Sequence, residues 1–351
     1  MSLNHKKTTL SEREPFHFDE YEKNNFFQFL KQSLKFDGIF ILSTCNRTDF
    51  YIHSDKSSPI NIESLINSIE IFKKKKIDRN KFYIETKVDK ITTNLFRTAC
   101  GIESMVIGEY EIVDQIKKSL KFSIENNHLS PFLNRLIQKS LECSKYIRTN
   151  TKINKGSTSI SSVLIKNLNN IFGLKSKNIL IVGAGKMSKL SIKHLKSKTV
   201  NNIFVTNRSS VQLNKLHKLF GIIKVPFKDY IDFIPKMDFV IFLTSSKTPL
   251  ITDTDIDKII KKLLKKIIFI DLSVPRNINF IKKYDKLIEF NLDHLKNQIE
   301  KNKESRTKEI KKAEKYIDIF QNKFIKWHTK YNYIKKNKYK SKIFLKPTEK
   351  N

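Results

Sequence analysis

The sequence predicts three parts in series: an α+β domain over residues 1–152, an α/β domain built on a parallel sheet over 153–291, and an all-α helical segment over 292–351. Three observations carry this reading. Two short apolar runs of strand type, 39–42 and 50–52, flank a polar knot at 43–49. An apolar strand, 178–182, runs straight into Gly183-Ala184-Gly185 and an amphipathic helix. Beyond Leu292 the text is charged and helical, with an apolar seam.

Over residues 1–86 the alternation of patterns suggests a split βαβ unit. An aromatic-rich helix at 16–34 precedes the two strands around the knot, and a helix at 62–75 precedes a strand at 82–86. From 89 to about 152 the text is helical, with Leu95, Phe96, Ala99 and Ile102, then Ile112, Val113, Ile116 and Leu120, at helical spacing. Ser130-Pro131 is an N-cap and first-turn pair for a helix carrying Leu133, Leu136, Ile137 and Leu141 on one face. Between helices, 101–111 is dense in polar side chains, and Gly101 and Gly108 mark turns. Glu103, Ser104, Glu109, Glu111 and Gln115 are thus candidates to face a shared cleft, with a solvated helix start as the alternative.

Gly156-Ser157-Thr158 reads as a linker and cap before a helix ending at Phe172. Strand, glycine turn and helix at 178–195 are what a dinucleotide site needs. The glycines let the backbone approach a pyrophosphate, and the helix N-terminus supplies its positive end. This Rossmann-like reading places Gly183, Ala184, Gly185, Lys186, Met187 and Ser188 at the cofactor, with Ser188 where a third glycine usually stands. The next strand, 203–206, ends in Asn207-Arg208-Ser209. NAD sites usually place an acid here for the ribose hydroxyls, whereas a cation with small polar neighbours suits a 2′-phosphate, so Arg208 favours NADPH. Strands at 239–243 and 267–270, with a helix from about Asp253 between them, complete the α/β domain near Asn291. Farther on, Ile310, Ala313, Ile317, Phe320, Phe324 and Trp327 recur at spacings of three and four, either an intramolecular packing face or a subunit contact. Residues 336–351 read as disordered.

Net charge is +33, from 68 Lys and Arg against 35 Asp and Glu, which directs attention to a polyanionic partner. Lys, Asn, Ile and Phe are abundant together, the mark of a coding sequence drifted toward A and T, so a solvated lysine surface accounts for much of the excess. Such a surface would bind a nucleic acid readily, with strong salt dependence. Cys45, Cys100 and Cys143 share no metal-ligand or CxxC spacing, which argues against a disulfide framework and fits a reducing cytoplasm. The first residues hold no apolar signal region and no run approaches a membrane span, so a soluble cytoplasmic protein is expected.

At the centre of the knot stands Cys45, two residues before Arg47. The thiolate is the reactive form, and a neighbouring cation lowers the thiol pKa, so the setting suits a nucleophile. A buried structural cysteine is the plain alternative. Against it, Ser43, Thr44, Asn46, Arg47 and Thr48 leave the sulfur no apolar wall within its own segment.

The run Ser43-Thr-Cys-Asn-Arg-Thr48 resembles the active-site motif of the glutamyl-tRNA reductase family, which opens five-carbon tetrapyrrole synthesis. Asn4-His5-Lys6, the block 101–109 (GIESMVIGE), Gly183-Ala-Gly-Lys-Met187, Asp271-Leu-Ser-Val-Pro-Arg276 and the Asn302, Arg306, Ala313 pattern resemble further blocks of that family, in its order. The resemblance implies a thioester on Cys45 formed from glutamyl-tRNA and reduced by NADPH to glutamate-1-semialdehyde. It implies that Arg47 holds the substrate carboxylate in a bidentate pair, while Thr44, Asn46, Ser104, Glu109, Tyr110, Glu111 and Gln115 position the glutamyl group. It also implies a homodimer through a C-terminal dimerisation domain, here reduced, and a complex with the aminotransferase that receives the semialdehyde. One departure stands out: where the family has a histidine before Leu95-Phe96-Arg97, this chain has Asn94, which donates a hydrogen bond but does not shuttle a proton near neutral pH. Two rival readings share parts of the chain. An NADP-dependent small-acid dehydrogenase leaves Cys45 idle, and a non-catalytic RNA-binding relic keeps the fold without turnover.

Overall fold

The computed structural model describes residues 1–54, 60–154, 160–200, 202–280, 284–291 and 307–343. The linker at 156–158 and the Asn302 and Arg306 positions lie outside the described residues.

The first part contains strand β1 (Ser2–Asn4), helices α1 (Leu10–Arg13) and α2 (Glu20–Ser33), strands β2 (Gly38–Ser43) and β3 (Arg47–His53), and helices α3 (Ile62–Lys73), α4 (Val88–Ala99), α5 (Glu111–Glu125) and α6 (Pro131–Asn150). Strand β2 is buried on both faces, and its period of two explains how. Ile39 and Ile41 enter a core with Phe26, Leu30 and Ile66 from α2 and α3, whereas Phe40 and Leu42 enter one with Phe96, Ile116 and Leu136 from α4 to α6. Asp19 and Ser130 cap α2 and α6 by accepting from Glu22 N and Leu133 N.

The split βαβ expectation is corrected. The sheet runs β1-β3-β2 and every pair is antiparallel, because β2 and β3 are joined by a loop of residues 44–46, too short for a crossover. Residues 82–86 form no strand; only Tyr83 bridges to Ser2. The third strand is instead β1, whose three residues are too few to show a period.

The second part contains α7 (Ile160–Phe172), β4 (Ile179–Val182), α8 (Lys186–Ser197), β5 (Ile203–Thr206), α9 (Ser210–Phe220), β6 (Ile223–Val225), α10 (Tyr230–Phe233), β7 (Phe239–Phe242), α11 (Asp253–Lys262), β8 (Ile267–Asp271) and β9 (Leu287–Asn291). The strands form one parallel sheet in the order β6-β5-β4-β7-β8-β9. Ile179 and Ile181 of β4 enter one core and Leu180 and Val182 the other, as a strand covered by helices on both faces requires. The order reverses at β4, so a crevice opens at its carboxyl end between β5 and β7.

Helix α12 (Thr307–Ile343) continues past Lys336, where disorder is expected from composition. Its seam is taken up inside the chain: Ala313, Ile317 and Phe324 are buried with Phe132 and Leu136 of α6 and Leu95 of α4, and Ile310, Phe320 and Trp327 pack against the same core. Phe324 lies 5.7 Å from Phe132, ring to ring. Of the two expectations for the seam, an intramolecular packing face is the one these residues form in the chain.

Candidate active site

Cys45 sits in the loop between β2 and β3. Thr44 N donates to Arg47 O at 2.8 Å, and Thr44 Oγ1 accepts from Asn46 N at 3.1 Å and Arg47 N at 3.2 Å, so this hydroxyl closes the turn. The loop is also held from upstream. Arg13 Nε donates to Cys45 O at 3.0 Å, and His5 N donates to Asn46 O at 2.9 Å. Asn46 is buried, and its Oδ1 has no hydrogen-bond partner. Cys45 is half-buried against an apolar cluster that includes Leu10, Met105, Val106 and Leu243. The sulfur thus gains from distant segments the apolar wall that its own segment lacks.

Arg47 departs from expectation. Its Nη1 donates to Asp49 Oδ2 at 3.1 Å and to Thr98 Oγ1 at 2.8 Å, and its Nη2 to Glu103 O at 2.6 Å, all in a buried setting. The guanidinium is thus engaged at two nitrogens by the protein itself, which fixes its position. Nor does it lower the thiol pKa. Burial, then the charges of Glu109 and Glu111, push the Cys45 thiol up to about 12, and the opposing cation is Arg13. Cys100 and Cys143 are buried among α4 and α6 residues, in a different core.

The segment between α4 and α5 folds in rather than facing solvent. Ile102, Met105, Val106 and Ile107 are buried, and Arg148 of α6 donates to Gly108 O at 3.0 Å and Glu109 O at 2.7 Å. Gly108 has φ +77°, and a Cβ there would stand 2.0 Å from Ile153 O, so this turn requires glycine. The turn carries Glu109 inward, where burial and then the charge of Glu111 raise its pKa to about 7, while a hydrogen bond from Ser104 and the charges of Arg47 and Arg148 oppose the rise. Burial also raises Glu111; Lys186 opposes that and Asp114 adds to it. Cys45, Ser104, Glu109 and Glu111 are thereby assembled as one acidic, poorly solvated group. Gln115 follows Glu111 by one turn and is half-buried. Tyr110, by contrast, is exposed, with the Arg148 guanidinium 5.2 Å from its ring centroid.

A second cleft of about 570 Å³ opens where the sheet order reverses, lined by Gly183, Ala184, Gly185, Lys186, Asn207, Arg208 and Thr244 among others. A Cβ on Gly183 would meet Leu243 O at 2.5 Å, whereas one on Gly185 would meet nothing within 4 Å. The first glycine permits the tight turn and the second leaves open backbone for a phosphate. Arg208, Lys189 and Lys215 also line the cleft, so its charge suits a phosphate-rich ligand. Met187 packs on the apolar cluster, and Ser188 is fully buried with its Oγ unpartnered, so neither side chain lines the cleft. Lys186 pairs with Asp114 of α5 and so ties the two clefts together.

Asn94 is not brought to the thiol. Its Nδ2 donates to Tyr83 Oη at 3.2 Å, and it lines a cavity of about 790 Å³ with Asp49, Tyr51, Ile91 and Phe132, to which Cys45 does not contribute. Reasoning from sequence missed Arg13 and Asp49. Arg13 lies 32 residues from the loop it holds and has no local signal. Asp49 follows Arg47 at the same-face spacing of a strand, which offered a cue to their pairing.

Residues 1–151 match the family described as glutamyl-tRNA(Glu) reductase, N-terminal domain, and residues 166–298 match that described as shikimate/quinate 5-dehydrogenase. A glutamyl-tRNA reductase of Sulfurihydrogenibium sp. is 33% identical over 331 residues, covering 93% of this chain and 74% of that protein. One from Methanocaldococcus jannaschii is 33% identical over 321 residues, covering 90% and 74%. The solved structure of glutamyl-tRNA reductase from Methanopyrus kandleri is similar with a TM-score of 0.51 at 26% identity, over 94% of this chain and 79% of that one. By this extent of identity, and by a fold that joins a cysteine-bearing α+β unit to a dinucleotide-type sheet, the chain belongs to the glutamyl-tRNA reductase family.

Proposed function

We propose that this protein reduces glutamyl-tRNA to glutamate-1-semialdehyde with NADPH, at the entry to tetrapyrrole synthesis, through a thioester on Cys45. The observation that carries the reading is that Cys45, Ala184 and Met187 pack against one apolar cluster, while Lys186 beside the nucleotide turn pairs with Asp114 of α5. In this reading Cys45 Sγ attacks the aminoacyl ester, the tRNA hydroxyl leaves, and the glutamyl group stays as a thioester. The Gly183–Gly185 turn and Arg208 would hold NADPH, which when bound would supply the hydride that takes the thioester to the aldehyde, with the Cys45 thiolate as leaving group.

Residues around the thiol divide the remaining work. Arg13 fixes the Cys45 carbonyl and so the loop, and the apolar cluster excludes water that would hydrolyse the thioester. Arg47, with Nη1 and part of Nη2 engaged, contributes a fixed positive charge beneath the glutamyl carboxylate instead of a free fork. Asn46 offers its buried, unpartnered Oδ1, and Gln115 its amide, to the substrate amine. Division at 152 and 291 into a catalytic unit, a nucleotide unit and a C-terminal helix follows the two sheets and α12. Among the described residues no helix is long and apolar enough to cross a membrane.

The direct test supplies glutamyl-tRNA and NADPH and assays glutamate-1-semialdehyde. Its formation, abolished in Cys45→Ser, is the expected result; a protein that consumes NADPH with small keto acids and ignores glutamyl-tRNA would contradict the proposal.

A further inference from the structure

We propose that Glu109 is the proton carrier for Cys45, taking the thiol proton as sulfur attacks the ester and returning it to the departing tRNA hydroxyl. The proposal rests on the thioester reading above. Glu109 is 8% exposed and its Oε2 has no hydrogen-bond partner, although the other side of the carboxylate is held by Ser104. A carboxylate oxygen without a donor in a poorly solvated site is costly unless a group arrives to use it. The charges that act on Glu109 are those of Glu111, Arg47 and Arg148, and those that act on Cys45 are Glu109, Glu111 and Arg13. The carboxylate and the thiol are therefore electrostatic neighbours, and the fold agrees: Cys45 packs on the cluster that holds Met105 and Val106, and Glu109 N donates to Val106 O at 3.2 Å in the same turn.

The histidines near the loop, and Asn94, are excluded by their settings. His5 and His17 are buried and held neutral, with pKa values down to about 3 and 4, burial being the main cause in each. His17 is also engaged with Ser43 Oγ at 3.0 Å, and Asn94 faces a different cavity. Glu109, raised to about 7, is balanced between accepting and donating at neutral pH, which is where a proton carrier works best. The step balances. The Sγ–H bond breaks toward the Glu109 carboxylate as the S–C bond forms, and the ester C–O bond then breaks with the proton passing from Glu109 to the tRNA oxygen. Protonating Glu109 also removes one of the charges that keep the thiol protonated, so the transfer favours its own completion.

The test uses the full chain and glutamyl-tRNA without NADPH, following the Cys45 thioester by mass spectrometry in single turnovers across pH, with iodoacetamide labelling of Cys45 alongside. Acylation by the unaltered protein is expected to rise with an ionisation near pH 7. In Glu109→Gln that limb should vanish and the rate fall by about 10²- to 10⁴-fold, the usual worth of general acid-base catalysis. Labelling of Cys45 in the same variant should be as fast or faster, because a negative charge beside the thiol is gone. Glu109→Asp should retain the limb at an intermediate rate, which keeps the proposal testable if the Gln variant fails to fold. Unchanged acylation in Glu109→Gln, or acylation and labelling falling together in Glu109→Asp, would overturn the proton role while leaving the reductase reading standing. Absence of any Cys45 thioester in the unaltered protein would instead sink that reading.

Discussion

Arg47 and Asp49 form a buried ion pair, Nη1 to Oδ2 at 3.1 Å, two residues apart on β3 and so on the same face of the sheet. Ser2 Oγ donates to the other Asp49 oxygen at 2.5 Å, so β1 closes the pair from outside. The loop that presents Cys45 is thus built on a buried charge network.

Arg47→Lys retains a charge but loses the three bonds to Asp49, Thr98 and Glu103. Charged hydrogen bonds are each worth roughly 1.5–3 kcal/mol, and Lys can restore one of the three, so a loss of about 3–6 kcal/mol in stability is expected together with a fall in kcat. Urea denaturation and turnover read both effects. A variant with unaltered midpoint and rate would show that the network does not hold the loop.

His5 gives the protein an acid-sensitive stability. The unfolded imidazole takes up a proton near pH 6.5, while burial, with Arg47 and Arg13 nearby, delays this in the folded state to about pH 3. Between those limits the unfolded state binds the extra proton, so stability falls as pH is lowered from about 6.5 toward 3. His5→Gln should flatten that part of the profile of denaturation midpoint against pH. An equally steep profile in the variant would place the acid sensitivity elsewhere.

Arg208→Ala should raise KM for NADPH with little change for NADH, since only the former carries the 2′-phosphate assigned to Arg208. Equal losses with both cofactors would remove that assignment.

Phe324 is 2% exposed and packs edge-on against Phe132, so Phe324→Ala should destabilise the protein by about 3–5 kcal/mol. Sedimentation should show the same mass for both forms at matched concentration, because the seam is spent within one chain. A change of mass in the variant would show that the seam joins subunits.

The parallel sheet was legible because fully buried strands and a glycine turn leave a contiguous signal, as at 178–185. The edge strands β6 and β9 were not, since Ile223 and Lys224 are exposed and carry no burial pattern. In the site, the polar knot around Cys45 was visible, but its electrostatics were not. Sequence adjacency suggested Arg47 as the sulfur's cation, whereas the pleat turns Arg47 to Asp49 and the long-range contact of Arg13 takes its place. The inward turn of Glu109 depends on Arg148 and on the Gly108 approach to Ile153, both from α6 and the chain just after it. No local pattern reports such contacts.

The central claim is that Cys45 is the covalent nucleophile, and its most direct test is mass spectrometry of the intact protein after exposure to glutamyl-tRNA without NADPH. The account predicts one glutamyl adduct, mapped by digestion to Cys45 and absent from Cys45→Ser, with Cys100 and Cys143 unlabelled in their separate buried core. An adduct that persists in Cys45→Ser, or tRNA bound tightly with no adduct at all, would contradict it.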